Sequence, residues 1–393
     1  MKRILIIEDD KLIANIYRQK FVQEGWLVDI ASDGAMGIEM VNSKKPDVVV
    51  LDLVLPKVLG HLVLQHIRSQ PDMKTLPVIV FSEGSHPTMV DEALKAGATR
   101  MASKIRHGPP HIVQMVKTAL AETEKSAATA APAAVVSKPH EADRYVGADF
   151  QTELRGKCLE AATAALDELQ RLHQAFVSQG GGDAVVQEMA RKTHALGGYA
   201  GLSRLHHCFR MAAALEGYLQ ELHFKPEAIS AVAVTTVEKA IEFLGALFRA
   251  SANADNEREA AFSACVLALS DDRPSRQALR QAIAKIHLTA ISTDDERTAL
   301  RLVEENLFDL VILDLTRPGT NNFDLCVKLR ATPNYTEVPI LVLTASPSLE
   351  KQAQTDLSGG NALMGKPFLQ MELAVRALQF ILYRQMGGPA TSA

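Results

Sequence analysis

Two acidic residues, Glu8 and Asp9, close the apolar run Ile4-Leu5-Ile6-Ile7, and a third, Asp52, closes Val48-Val49-Val50-Leu51. If those runs are neighbouring strands, three carboxylates meet at one edge. Such groups repel one another, and a hard divalent cation such as Mg2+ is the natural compensation, because it takes oxygen ligands octahedrally and keeps several waters. Beside that cation Asp52 is a nucleophile toward phosphorus, the role carboxylates play in forming acyl phosphates. Lys104 would neutralise charge on the transferring phosphoryl group, and Ser82 would donate a hydrogen bond to one of its oxygens.

The set occurs twice. Asp9 and Asp271, Asp52 and Asp314, Pro56 and Pro318, Pro77 and Pro339, Ser82 and Thr344, Gly97 and Gly359, and Lys104 and Lys366 are all separated by 262 positions, with no gap. A constant offset of this kind marks an internal repeat. Ser270 stands in the second copy where the first has Glu8, and Asn322 stands in place of Gly60.

The elements that must position these residues alternate. In the first copy, residues 3–8, 27–31, 47–52, 77–81 and 99–102 read as strands, with helices near 11–24, 34–43, 60–70, 88–95 and 110–122. Alternation of this kind predicts an α/β doubly wound, flavodoxin-like fold with a five-stranded parallel sheet covered on both faces, and its reactive groups gather at the carboxyl edge of the strands. The expected organisation is a first α/β domain over 1–122, an Ala/Pro-rich linker over 123–147, a helical domain over 148–250, a polar linker over 251–261 and a second α/β domain over 262–388. The middle segment has no strand-like runs. It carries four stretches of helical period, broken near Gly180-Gly181-Gly182, Gly201-Leu202-Ser203 and Lys225-Pro226, which predicts a four-helix bundle.

Composition bounds the function. The chain has 393 residues, 47% hydrophobic and 22% charged, which suits a soluble multidomain protein, and no run of about 18 apolar residues exists to insert in a membrane. A net charge of −4 without a Lys/Arg run argues against nucleic-acid binding. The four cysteines have no CxxC spacing, so neither a zinc site nor a disulfide framework is indicated and a cytoplasmic location is expected.

Within the helical segment, His194 lies in Lys192-Thr193-His194-Ala195-Leu196-Gly197-Gly198-Tyr199-Ala200-Gly201. Two adjacent glycines in a helix cost roughly 1 kcal/mol each relative to alanine. Smallness beside an exposed histidine lets another protein approach, and an imidazole nitrogen is a competent phosphoryl acceptor. The bland reading is that the glycines serve helix packing and His194 is an ordinary surface residue. His206 and His207 lack the glycine context and read as packing or surface residues.

The repeated set resembles the receiver domain of bacterial response regulators over nearly all of 1–122 and 262–386. That resemblance implies that Glu8 and Asp9 place Mg2+, that Asp52 is phosphorylated, that Ser82 and Lys104 contact the phosphoryl group, and that the carbonyl of Val54 completes the metal shell. In the second copy the corresponding residues are Asp271, Asp314, Thr344, Lys366 and Thr316. Ile105 follows Lys104 where the family usually has proline, and Met101 and Leu363 stand where an aromatic residue is common. The segment around His194 resembles the histidine-phosphotransfer family, with Gly197 in place of that family's lysine and Lys192 or Arg191 as substitutes for its charge. Together these resemblances imply a two-component phosphorelay protein, in which phosphate moves among Asp52, His194 and Asp314. The implied partners are a sensor histidine kinase and other receiver or phosphotransfer proteins, with homodimerisation left open. The alternative is a tandem-receiver regulator whose helical segment only docks or dimerises. No enzyme output is legible: Gly180-Gly181-Gly182-Asp183 is not a GGDEF signature, and no GxxxxGK loop is present.

Overall fold

The computed structural model describes residues 1–82, 93–103, 108–126, 148–178, 182–252, 264–314, 322–345 and 347–387. Near its start the chain forms β1 (Arg3–Ile7), α1 (Lys11–Gln23), β2 (Leu27–Ala31), α2 (Gly34–Lys44), β3 (Val48–Leu51), α3 (Gly60–Ser69), β4 (Val78–Ser82), β5 (Arg100–Ser103) and α4 (Pro109–Ser126). The strands make one parallel sheet in the order β2-β1-β3-β4-β5. Val, Ile, Leu and Phe fill β3 and β4 up to Ser82, because a strand covered by helices on both faces has no polar side to show. Of the expected helix over 88–95, residues 93–95 are helical and 88–92 lie outside the described residues. The helix expected over 110–122 continues to Ser126, since Ala, Glu and Lys after Leu120 are good helix formers.

The helical region consists of α5 (Ala148–Ser178), α6 (Asp183–Leu202), α7 (His206–Phe224) and α8 (Ala231–Ala252), interrupted near Gly201-Leu202-Ser203 and Lys225-Pro226 where the sequence breaks were read, while 179–181 lie outside the described residues. A second α/β set follows: β6 (Cys265–Ser270), α9 (Arg273–Lys285), β7 (Thr289–Thr293), α10 (Glu296–Glu305), β8 (Leu310–Asp314), α11 (Asn322–Ala331), β9 (Ile340–Thr344), α12 (Leu349–Leu357), β10 (Ala362–Gly365) and α13 (Gln370–Gln385). Its sheet order, β10-β9-β8-β6-β7, is that of the first copy read from the other end. The fold is therefore two receiver-like α/β sheets with helices between them.

Corresponding side chains brace the two copies. Arg68 donates through Nε to the Gly97 carbonyl at 2.9 Å and through Nη1 to that of Leu76 at 2.8 Å. Its counterpart Arg330 does the same to Gly359 at 2.8 Å and Val338 at 2.7 Å. Both glycines sit in the left-handed region, at φ 91° and 86°, so the turn that exposes each carbonyl favours glycine.

By compactness the chain falls into two units, one of 1–162 with 195–209 and the other of 163–194 with 210–393. Inside the second unit α13 packs on α9 and α8 and is buried along nearly its whole length. Arg376 donates to Thr236 Oγ1 at 2.8 Å, and the Met371 amide donates to the Glu221 carboxylate at 2.9 Å. Burial pushes the Glu372 carboxyl up and the Arg376 guanidinium down from their ordinary values, the expected cost of taking charges out of water.

Candidate functional site

The reactive edge of the first sheet follows from register. Ile7 pairs with Leu51, so the residues that come next, Glu8 and Asp52, emerge side by side where the strand order reverses. Asp52 is 2% exposed and Glu8 3%. The carboxylate oxygens of Glu8, Asp9 and Asp52 lie within 4.8 Å of one another, and this is the one group of three metal-ligating side chains among the described residues. The Leu53 amide donates to Asp52 Oδ1 at 2.6 Å, and the Val54 amide lies 3.4 Å from the same oxygen, which orients the carboxylate. Gly60 permits the turn that follows, since a Cβ there would come within 2.0 Å of the Asp52 carbonyl oxygen.

Three oxygens so close, two of them on nearly buried residues, suit a hard cation: the donor set is all carboxylate, and its charge needs compensation. The next acid along is not part of it. Asp10 caps α1, its Oδ1 accepting from the Leu12 and Ile13 amides at 2.9 Å, and its Oδ2 accepts from the Tyr199 hydroxyl at 2.6 Å. Asp272, its counterpart in the repeat, likewise caps α9 through the Ser275 amide. The side chain of Ser82 and the whole of Lys104 lie outside the described residues.

The second sheet has a different edge. Ser270 pairs in register with Asp314, and its hydroxyl donates to Asp314 Oδ2 at 3.0 Å. Lys366 Nζ lies 2.6 Å from Asp314 Oδ1, and Asp314 is wholly buried. Here a lysine and a serine hold the carboxylate. Asp271 is 8% exposed beside them, Thr344 Oγ1 accepts from Lys351 at 3.1 Å, and Thr316 lies outside the described residues.

His194 sits on α6 and differs from its expected exposure: it is 5% exposed, and Gly197 and Gly198 are buried as well. Its Nδ1 is 3.3 Å from both carboxylate oxygens of Glu216 on α7, which is 1% exposed and also accepts from Gln220. Glu216 was invisible as a site residue in the sequence, because a Glu in mid-helix reads as a solvated face. The only signal was its place in an otherwise apolar stretch, Ala212-Ala213-Ala214-Leu215-Glu216. Lys192 and Arg191 do not take the place of the missing lysine, since Lys192 pairs with Glu168 at 2.7 Å and Arg191 with Glu188. Both point to carboxylates within their own bundle, where opposite charge is nearer.

Comparison with known proteins finds one family over both α/β copies. The family model of the Response regulator receiver domain matches residues 4–144 and 266–378. The uncharacterized transcriptional regulatory protein YrkP of Bacillus subtilis (strain 168) is 34% identical over 113 residues, covering 29% of this chain and 47% of that protein. Response regulator MprA of Mycobacterium ulcerans (strain Agy99) is 33% identical over 96 residues, 24% of this chain and 40% of that protein. The chain thus spans less than half the length of these curated relatives. Among solved structures, the chemotaxis response regulator CheY4 of Vibrio cholerae is 28% identical, with 30% of this chain and 99% of that chain covered and a TM-score of 0.29.

Proposed function

The chain belongs to the response regulator receiver domain family, and on that premise we propose that it works in a two-component phosphorelay as receiver (1–122), phosphotransfer bundle (148–250) and receiver (262–388), with Asp52, His194 and Asp314 as phosphate acceptors. One observation carries the reading: the cluster of Glu8, Asp9 and Asp52, two of them buried, at the carboxyl edge of a parallel sheet. Glu8, Asp9 and Asp52, with the Val54 carbonyl, would hold Mg2+, which supplies charge neutralisation for the transferring phosphoryl group. An Asp52 carboxylate oxygen attacks the phosphorus of a donor phosphoimidazole. The O–P bond forms as the P–N bond breaks, and the electron pair returns to the donor's imidazole. Lys104 and Ser82 belong to the same step as charge and hydrogen-bond donors.

For His194 the Glu216 carboxylate on Nδ1 orients the ring, and an imidazole nitrogen is the acceptor atom. At 5% exposure the ring must be uncovered before a donor reaches it. Asp314, with Thr344 and Lys366, forms the third acceptor, and Asp271 and the Thr316 carbonyl are its metal-side groups. A sensor histidine kinase and other receiver or phosphotransfer proteins are the partners of this chemistry. The cytoplasm is its setting; no described helix is long and apolar enough to cross a membrane. A second reading is favoured by the burial of His194 and by Gly197: the bundle is a docking or dimerisation element without phosphate chemistry.

Incubation with Mg2+ and acetyl phosphate, followed by intact mass and bond lability, separates the two. Base-labile label lost in Asp52→Asn, with acid-labile label lost in His194→Gln, is the relay. Acyl phosphate alone leaves the tandem-receiver reading, and absence of any label in the wild type refutes both.

A further inference from the structure

We propose that the second α/β copy carries a binding pocket for a phosphate-rich small molecule of nucleoside polyphosphate size. A cavity of about 570 Å3 lies between α9 and the edge strand β7, lined chiefly by Arg273, Arg276, Gln277, Arg280, Gln281 and Ser292. That volume is within the range of small-molecule sites. Helix α9, RPSRQALRQAIAK, holds four cationic residues and no acid. Its three arginines recur at i, i+3 and i+7, on one face, and at 1.5 Å per residue they spread over about 10 Å. A row of guanidinium forks that long fits two or three linked phosphates better than one, because each fork engages phosphate oxygens in pairs. The two glutamines and the serine add neutral donors and acceptors within the same cavity, the mix that fixes a base or a sugar. Such a mix favours a small molecule over an acidic polypeptide.

The internal repeat shows that this is a departure within one chain. At the offset of 262, Arg276 stands where the first copy has the buried Ala14, and Ser270 stands where it has Glu8. The edge has lost a carboxylate and gained a guanidinium. The first copy therefore gathers three carboxylates suited to a cation, and the second presents cations suited to an anion. Among the described residues no carboxylate lines the pocket. Asp294 lies 3.5 Å from Arg276 and is 58% exposed, so a polyanion displaces it easily.

Occupancy has a route to Asp314. Arg276 Nη1 donates to the Ser270 carbonyl at 2.7 Å, and the Ser270 hydroxyl donates to Asp314 Oδ2 at 3.0 Å. A ligand that draws Arg276 outward loosens the residue that holds the buried carboxylate. This inference is independent of phosphate transfer and stands whether or not Asp314 is ever phosphorylated.

The test is calorimetric titration of the full chain with ATP in EDTA, with tripolyphosphate, adenosine and polyglutamate as separate arms. One ATP site per chain is expected, competed by tripolyphosphate and not by adenosine. Arg273→Ala with Arg280→Ala should weaken it by about tenfold or more without changing the melting temperature, since both side chains are exposed. The matching pair in the first copy, Lys11→Ala with Arg18→Ala, should leave it unchanged. No heat at millimolar ATP, equal affinity in the Arg273/Arg280 variant, or polyglutamate outcompeting ATP would each overturn the proposal, the last in favour of an acidic polypeptide.

Discussion

Lys366→Met tests whether a lysine does in the second copy what a cation is proposed to do in the first. Asp314 is wholly buried and its charge is met by Lys366 Nζ at 2.6 Å and the Ser270 hydroxyl at 3.0 Å. At an effective dielectric constant of about 20, that separation corresponds to a gross attraction of about 6 kcal/mol. Lys366 is 19% exposed, so solvent screens part of it, and desolvation of the carboxylate takes back several kcal/mol more. What matters for the variant is the state left behind: a buried carboxylate whose one remaining partner among the described residues is the neutral Ser270 hydroxyl. Breaking a buried pair on one side costs about 3–5 kcal/mol, and the exposure of Lys366 places the expectation near 3 kcal/mol. The pairs of β8 with β6 and β9 should feel it first. Hydrogen exchange followed by mass spectrometry should show residues 310–314 opening roughly 100-fold faster, while 48–51 in the first sheet serve as the unchanged control. Lys366→Met combined with Asp314→Asn should recover all but about 1 kcal/mol, because the amide still accepts from Ser270 and no charge is left unpaired. If Lys366→Met leaves exchange of 310–314 at the wild-type rate, the ion pair is not what makes the buried carboxylate tolerable, and the contrast between the two edges fails.

Other consequences are as direct. Asp9→Asn should weaken the tighter Mg2+ binding event by about tenfold or more in calorimetry, and Asp271→Asn should affect that event less; a larger effect at Asp271 would move the principal cation site to the second copy. The Lys57 ammonium, 2.6 Å away, and the Met36 amide hold the Asp33 carboxyl below the ordinary carboxylate range. A depressed folded pKa gives stability that is present above the unfolded value near about 4 and is lost as pH falls through the folded one. The melting-temperature gap between wild type and Lys57→Met should therefore be open at neutral pH and close as pH is lowered below about 4. A gap that widens in acid contradicts the assignment. Glu216→Gln removes a charge-assisted contact to His194 worth about 1.5 kcal/mol, so the rate of phosphohistidine formation should drop about tenfold while acyl phosphate at Asp52 persists. Equal rates would reduce Glu216 to a packing residue.

The sequence by itself determined the architecture, because the central strands of the repeated sheets, β1, β3, β6 and β8, are short apolar runs and the reactive acids close them. A period-two or buried run leaves little choice of fold once it alternates with helices, and an ungapped repeat of 262 checks every assignment against a second copy. Asp52 and its acidic pair were legible for that reason, as were the helix interruptions near 202 and 225. Legibility ended where a residue's meaning depends on what faces it across the fold. Asp10 and Asp272 sit beside the acidic positions in sequence, yet each spends its carboxylate on a helix cap. Lys192 has the right charge near His194 but points to Glu168, and Glu216, 22 positions along the chain, meets the imidazole instead. Ser270 reads as a missing acid, and only its hydrogen bond to Asp314 and the Arg276 above it reveal an edge of opposite character. Hydrophobic periodicity is a local property that sequence carries openly. The pairing of charges is settled by distances between elements far apart in the chain, and those distances exist only after the helices and sheets have packed.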